Sequence, residues 1–244
     1  LYSIEKLKAA NWSIQSSGIS ELREMHIVES VPAIRKLINH KNTLVRSHAQ
    51  LALLELESDQ DRLSVFEQIT NPISTWDQLR LHESLKSRNG DKIESFARLF
   101  HLPNKTVSLF AIRMSAYFGC SRDIPMLQEL THHEDAEIRK EAILALTRLG
   151  DYLMQEALAS QFDTENDEIK SAILEYLSYT GFDNLTFYEH ALIQSNHSVS
   201  LSAAQALAHL RPPGFPLKFE EDYADMPEVV ERLKHAADRR LLSV

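Results

Sequence analysis

The sequence predicts an all-α protein, a solenoid of stacked helical hairpins. Three observations predict it. An aliphatic residue followed four positions later by a small one recurs every 30 or 31 residues along most of the 244-residue chain. Asn or Asp stands three residues before nearly every recurrence, where a helix needs a side chain to accept its free backbone N–H groups. Glycine is scarce, six in all, and four of the six fall where these helical segments should end.

Composition narrows the function classes. The chain carries 35 acidic and 26 basic residues, a formal net charge of −9, which disfavours broad phosphate binding. Cys120 is the single cysteine, so no internal disulfide framework forms and a reducing compartment fits. No apolar stretch is long enough to span a bilayer. The chain starts at Leu1 rather than Met, so it reads as cut from a longer or processed protein. A preceding segment would be the place for targeting or an anchor. The expected location is cytoplasmic, with a cytoplasmic domain of an anchored protein as the variant.

The second helix of each hairpin, helix B, carries the repeat. Its anchors are Ile14, Val45, Trp76, Val107, Ile138, Ile169 and Val199. Trp76 is placed by arithmetic alone: Val45 and Val107 are two steps apart, which demands a repeat between them. Four residues beyond the anchors stand Gly18, Ala49, Arg80, Ala111, Ala142, Ile173 and Ala203. Asn11, Asn42, Asn104, Asp135, Asn166 and Asn196 are the expected caps, with Asn71-Pro72 starting the irregular repeat. Gly119, Gly150 and Gly181 lie twelve residues past their anchors and read as C-terminal caps, with Gly90 displaced by two.

Helix A of each hairpin is expected over 28–39, 61–70, 91–102, 123–132, 151–162 and 184–195. Several of these open on Asp or Asn as caps, and Pro32 and Pro125 recur at one phase. A single hairpin cannot bury both apolar faces, whereas a stack can. Residues 1–210 therefore form about six full hairpins plus a partial N-terminal one. Residues 211–244 form a Pro-rich connector, with Pro212, Pro213, Gly214 and Pro216, and a C-terminal helix from Asp225 or Pro227 to about Leu241. Its stripe of Val230, Leu233, Ala237 and Leu241 would cap the last repeat or serve as a latch or partner-binding helix.

Asp135-Ala-Glu-Ile-Arg-Lys-Glu-Ala142 with Leu144–Gly150, and Asn42-Thr-Leu-Val-Arg-Ser-His-Ala49, resemble the HEAT-repeat family, particularly its short bacterial form. Arg46, Arg139 and Lys170 match the basic residue that follows the anchor in such repeats. The resemblance covers about residues 1–210 and implies an all-α, right-handed α–α superhelix, a HEAT-like solenoid whose helix B lines the concave side. It says little of function, because these repeats serve many roles.

Signs of chemistry are sparse. His82-Glu83 and His133-Glu134 sit at different phases of the repeat. They therefore lack the equal-phase His-Glu pairs with which HEAT-like hydroxylases hold two irons. Cys120 has no neighbouring base in sequence, and no glycine-rich phosphate loop occurs. The sequons at Asn11, Asn104, Asn184 and Asn196 are better explained by helix capping. No cofactor or metal is expected. In the irregular repeat, Arg80 falls on a small buried phase, which implies either a register shift or a pocket where Trp76 and Arg80 meet a partner.

The expected function is non-catalytic, a scaffold binding a protein or peptide on the concave helix-B surface. The candidate contact residues are Arg46, Asp77, Arg80, Arg139 and Lys170, expected to be exposed, together with Trp76 at its anchor. The alternatives are a HEAT-like nucleic-acid enzyme of the DNA glycosylase type and a phycobilin-lyase-like chaperone. The first needs a contiguous basic groove and the second a large apolar pocket.

Overall fold

The computed structural model describes residues 2–58, 62–87, 93–194, 196–210 and 223–242. Helices and short 3-10 turns account for its regular structure, and no strand occurs among the described residues. The chain forms two compact units, Leu1–Asp123 and Ile124–Val244. The first holds α1 (Tyr2–Lys6), α2 (Trp12–Glu24), α3 (Val31–Arg35), α4 (Thr43–Leu56), α5 (Ser64–Glu67), α6 (Thr75–Ser87) and α7 (Lys105–Tyr117). The second holds α8 (Ile124–Leu130), α9 (Ala136–Leu149), α10 (Gln155–Gln161), α11 (Asp167–Tyr179), α12 (Leu185–Gln194), α13 (His197–Leu210) and α14 (Pro227–Leu242).

Helices α2, α4, α6, α7, α9, α11 and α13 are the expected B helices, each thirteen or fourteen residues long. Within the first unit α2 packs on α4 and α4 on α6; within the second α9 packs on α11 and α11 on α13. Capping fixes where they start. Asn11, Asn42, Asn104, Asp135, Asn166 and Asn196 each accept a backbone N–H from the first turn, at 2.8 to 3.4 Å. The anchors Val45, Val107, Ile138, Ile169 and Val199 are buried. Each such side chain contributes roughly 1.5–3 kcal/mol relative to an exposed one.

The B-helix ends share one geometry. Gly119, Gly150 and Gly181 adopt positive φ, and the residue after each donates back to a carbonyl one turn earlier. These bonds are Cys120 N to Ser115 O, Asp151 N to Leu146 O and Phe182 N to Leu177 O, at 2.9 to 3.1 Å. His26 stands at the same phase after Ile14, and it too has positive φ, at 54°. Ile27 N completes its turn on Leu22 O at 2.9 Å. The closing turn thus recurs even where glycine does not. Gly90 lies outside the described residues.

The A segments are shorter than the sequence suggests. α3 has five residues and α5 four, and the segment before α7 keeps only a 3-10 turn at Ala97–Leu99. No side chain caps α3, α5 or α10. Val28–Ser30 runs into α3 as a 3-10 turn, and residues 36–39 continue it as turns rather than helix. Two aspartates read as local caps do other work. Asp123 is fully buried and accepts from Phe96 N at 2.8 Å, Ser115 Oγ at 2.7 Å and Ser95 Oγ. Asp151, also buried, accepts from Gln128 Nε2 at 3.0 Å and the Tyr176 hydroxyl at 3.1 Å. Each ties separate elements together, and its hydrogen bonds offset the cost of burying a carboxylate. Asn184 does cap α12 as read, accepting from Phe187 N at 3.2 Å. The expected caps Asp61 and Asp91 lie outside the described residues.

The C-terminal helix is an eighth B helix in phase. α14 packs on α13, and its buried residues are Val229, Leu233 and Ala236, so the predicted stripe keeps Leu233 but starts at Val229 rather than Val230. Those offsets of 0, 4 and 7 repeat Val199, Ala203 and Ala206 one step of 30 residues earlier. The connector from Arg211 to Asp222 lies outside the described residues, as do the side chains of Ala237 and Leu241.

Candidate functional site

The residue after each anchor ties the helix to the turn before it. Arg46 Nη1 donates to the carbonyls of His40 and Lys41 at 3.2 and 3.3 Å. Arg139 Nη1 does the same to His133 and Glu134 at 2.8 and 2.9 Å. Ser108 reaches Leu102 O at 3.2 Å, and Gln15 and Ser200 reach Leu7 O and Leu192 O at 3.1 and 2.7 Å. These loops leave carbonyls without helical partners, and the side chain one turn into helix B satisfies them. Arg139 also forks the carboxylate of Glu165, with Nε and Nη2 at 2.9 and 2.7 Å from its two oxygens. Lys170 lies 5.4 Å from the Phe162 ring centroid. Arg46, Arg139 and Lys170, expected to be exposed, are half-buried and engaged within the chain.

The irregular repeat resolves as a register shift. Ser74 caps α6: its hydroxyl accepts from Asp77 N at 3.2 Å and donates to Asp77 Oδ2 at 2.7 Å. The helix therefore starts at Thr75 rather than from Asn71-Pro72. Counting three from the cap puts Asp77, not Trp76, at the anchor and Leu81, not Arg80, at the buried phase. Leu81 is buried and Trp76 is 76% exposed. Asp77 and Arg80 are half-buried and share Ser47: its hydroxyl donates to Asp77 Oδ1 and accepts from Arg80 Nη1 at 3.1 Å. Trp76 and Arg80 thus stand four residues apart on α6, Trp76 exposed and Arg80 engaged on Ser47. In the first repeat Ile14 is also exposed. There Gly18 matters, since a Cβ would meet Lys6 Cβ at 2.7 Å.

His48 and Cys120 are held by neighbouring groups within the chain. His48 Nδ1 lies 2.7 Å from Ser16 Oγ and 3.2 Å from Ser20 Oγ. Burial pulls the imidazole below its ordinary pKa, and the Arg80 and Arg23 charges add to this. Cys120 is buried with its thiol donating to Ile93 O at 3.3 Å, and burial pushes its pKa up to about 12. Such a thiol is no nucleophile at neutral pH. His82 packs edge-on against Tyr117 at 4.3 Å between centroids, and its buried Nε2 has no hydrogen-bond partner among the described residues. His133 Nδ1 accepts from Asp135 N at 3.0 Å. No group of three His, Cys, Asp or Glu side chains is placed to hold a metal among the described residues.

The second unit carries a groove of about 710 Å³ across the B helices α9, α11 and α13. Lys140 and Leu144 line it from α9, Ser171, Glu175 and Tyr179 from α11, and Ser202 and His209 from α13. Tyr179 is 67% exposed and stacks on His209, with centroids 5.8 Å apart and planes 7° from parallel. Both stand ten residues beyond their anchors, the phase signal by which the sequence could have shown them. Lys140 Nζ pairs with Glu168 at 2.6 Å across the rim. The acidic excess of the chain lies in this unit. Residues 124–244 hold 21 acidic and 10 basic side chains, against 14 and 16 in residues 1–123, and within 124–210 the numbers are 14 and 4. No helix among the described residues is long and apolar enough to cross a membrane.

Comparison with known proteins agrees with the repeat. A family model described as HEAT repeats matches residues 95–178, which bears out the resemblance over that segment. No curated protein matches the chain. Among solved structures, an engineered protein aligns over 86% of this chain and 95% of its own, with 14% identity and a TM-score of 0.42. The complex of CpcE and CpcF of phycocyanin lyase from a Nostoc species aligns over 97% of this chain and 92% of that one, with 15% identity and a TM-score of 0.38.

Proposed function

We propose that this helical-repeat protein is a non-catalytic scaffold whose helix-B faces bind a protein or peptide partner. The observation that carries the reading is the open groove across α9, α11 and α13, with Tyr179 exposed on one wall. Large aromatic side chains with one free face dominate binding at protein interfaces, and a helix-lined groove accepts an extended or helical segment. The polar pairs elsewhere on the B helices close the chain's own turns and ladders. Of the contact residues assigned by sequence, Arg46, Asp77, Arg80, Arg139 and Lys170 therefore give way to Glu175, Tyr179, Ser202 and His209 as the working surface, while Trp76 stays exposed. The acidity of this unit favours a protein partner over a nucleic-acid backbone. A reducing, cytoplasmic setting suits the buried free thiol.

The test is site-directed photo-crosslinking in the native cell. A crosslinker replacing Ser202 in the groove should capture a discrete protein, whereas one replacing Glu129, exposed on α8, should not. Capture of nothing, or of the same proteins from both positions, overturns the reading.

A further inference from the structure

We propose that the groove of the second unit takes a lysine- or arginine-bearing peptide segment of the partner. This deepens the scaffold reading and rests on it. Charge complementarity carries the argument. Three of the four basic residues in 124–210 are already engaged: Arg139 on Glu165, Lys140 on Glu168 and Lys170 on the Phe162 ring. Asp167, Glu168 and Glu175 line the groove against Lys140 alone. Glu175 is exposed, and among the described residues no ion pair or side-chain hydrogen bond engages its carboxylate.

The geometry adds specificity. Glu175 and Tyr179 are four residues apart on α11, so they share one face. One face of the Tyr179 ring lies against His209, and its exposure leaves the rest of the ring open. A guanidinium or ammonium group is attracted to an aromatic face within about 6 Å of the centroid, and a carboxylate one turn away pairs with the same cation. Small side chains at Ser171, Ser202 and Ala206 keep the floor low enough for a chain to lie in the groove.

The experiment measures binding of fluorescently labelled oligo-arginine, oligo-lysine and oligo-glutamate peptides by anisotropy at low and physiological salt. The basic peptides should bind and the acidic one should not. Glu175→Lys should weaken basic-peptide binding by about tenfold, and Tyr179→Ala by several fold, with more effect on oligo-arginine. Glu129→Lys makes the same change in net charge on α8 and should alter binding less than about twofold. Circular dichroism of each variant establishes that it is folded. Failure of the basic peptides to bind, or an equal loss in Glu129→Lys, overturns the proposal. A neutral or acidic partner segment crosslinked at Ser202 also overturns it while leaving the scaffold reading intact.

Discussion

Arg139 grips Glu165, 26 residues away, through two hydrogen bonds of 2.9 and 2.7 Å while its remaining amino group holds two turn carbonyls. The side chains are only 19% and 9% exposed, so this bidentate pair is shielded from water. Arg139→Ala should therefore destabilise the protein by about 1–3 kcal/mol, leaving Glu165 and both carbonyls unpaired. A double-mutant cycle with Glu165→Ala in urea denaturation measures the coupling. A coupling near zero would contradict the assignment of Arg139 as a structural tie.

Asp123 makes the more demanding burial. Its carboxylate is fully enclosed and serves three donors from two segments. Asp123→Ala orphans Phe96 N–H and two serine hydroxyls and should cost about 2–4 kcal/mol. Hydrogen exchange should report the loss first at Phe96. A variant as stable as the parent would show that Phe96 N–H finds another acceptor.

His26 occupies the left-handed turn position that glycine fills at 119, 150 and 181. A side chain there is strained. His26→Gly should stabilise by roughly 0.5–1 kcal/mol, and Gly150→Ala should destabilise by a similar amount. Thermal melts of the two variants test the pair, and the same direction of change in both would refute it.

His48 makes stability pH-dependent. Its folded pKa lies below the ordinary value of 6.5, so below that pH the unfolded chain binds the proton more readily. Its contribution favours folding at neutral pH and falls away as the pH drops through about 6.5 toward the folded pKa. His48→Gln should flatten that part of the stability profile in urea titrations from neutral to mildly acidic pH. An unchanged slope would assign the acid sensitivity to other groups.

The backbone of this fold was largely legible, because caps and small residues at fixed phase are local signals. Asn42, Asn166 and Gly150 show their roles within a few residues of sequence. The A segments were not, since their short helices depend on packing and on acceptors such as Asp123 that arrive from the next repeat. The irregular repeat misled by one residue: equal division of a double step chose Trp76, whereas the Ser74 cap sets the register at Asp77. The candidate site was missed for a related reason. Sequence spacing marks which residues share a helix face but not which of them find partners inside the chain. Arg46 and Arg139 looked like a surface strip until the loop carbonyls beside them were placed. Tyr179 and His209 were visible as a shared phase, yet only their stacking beside a groove distinguishes them.

The most direct measurement is the affinity of the partner captured at Ser202 for three proteins at a temperature where all remain folded. These are the parent chain, the groove pair Glu175→Lys with Tyr179→Ala, and the turn pair Arg46→Ala with Arg139→Ala. The groove pair should lose at least about tenfold in affinity. The turn pair should bind within about twofold of the parent despite a lower melting temperature. Unchanged binding by the groove pair, with loss confined to the turn pair, would contradict the assignment of the α9–α11–α13 groove as the working surface.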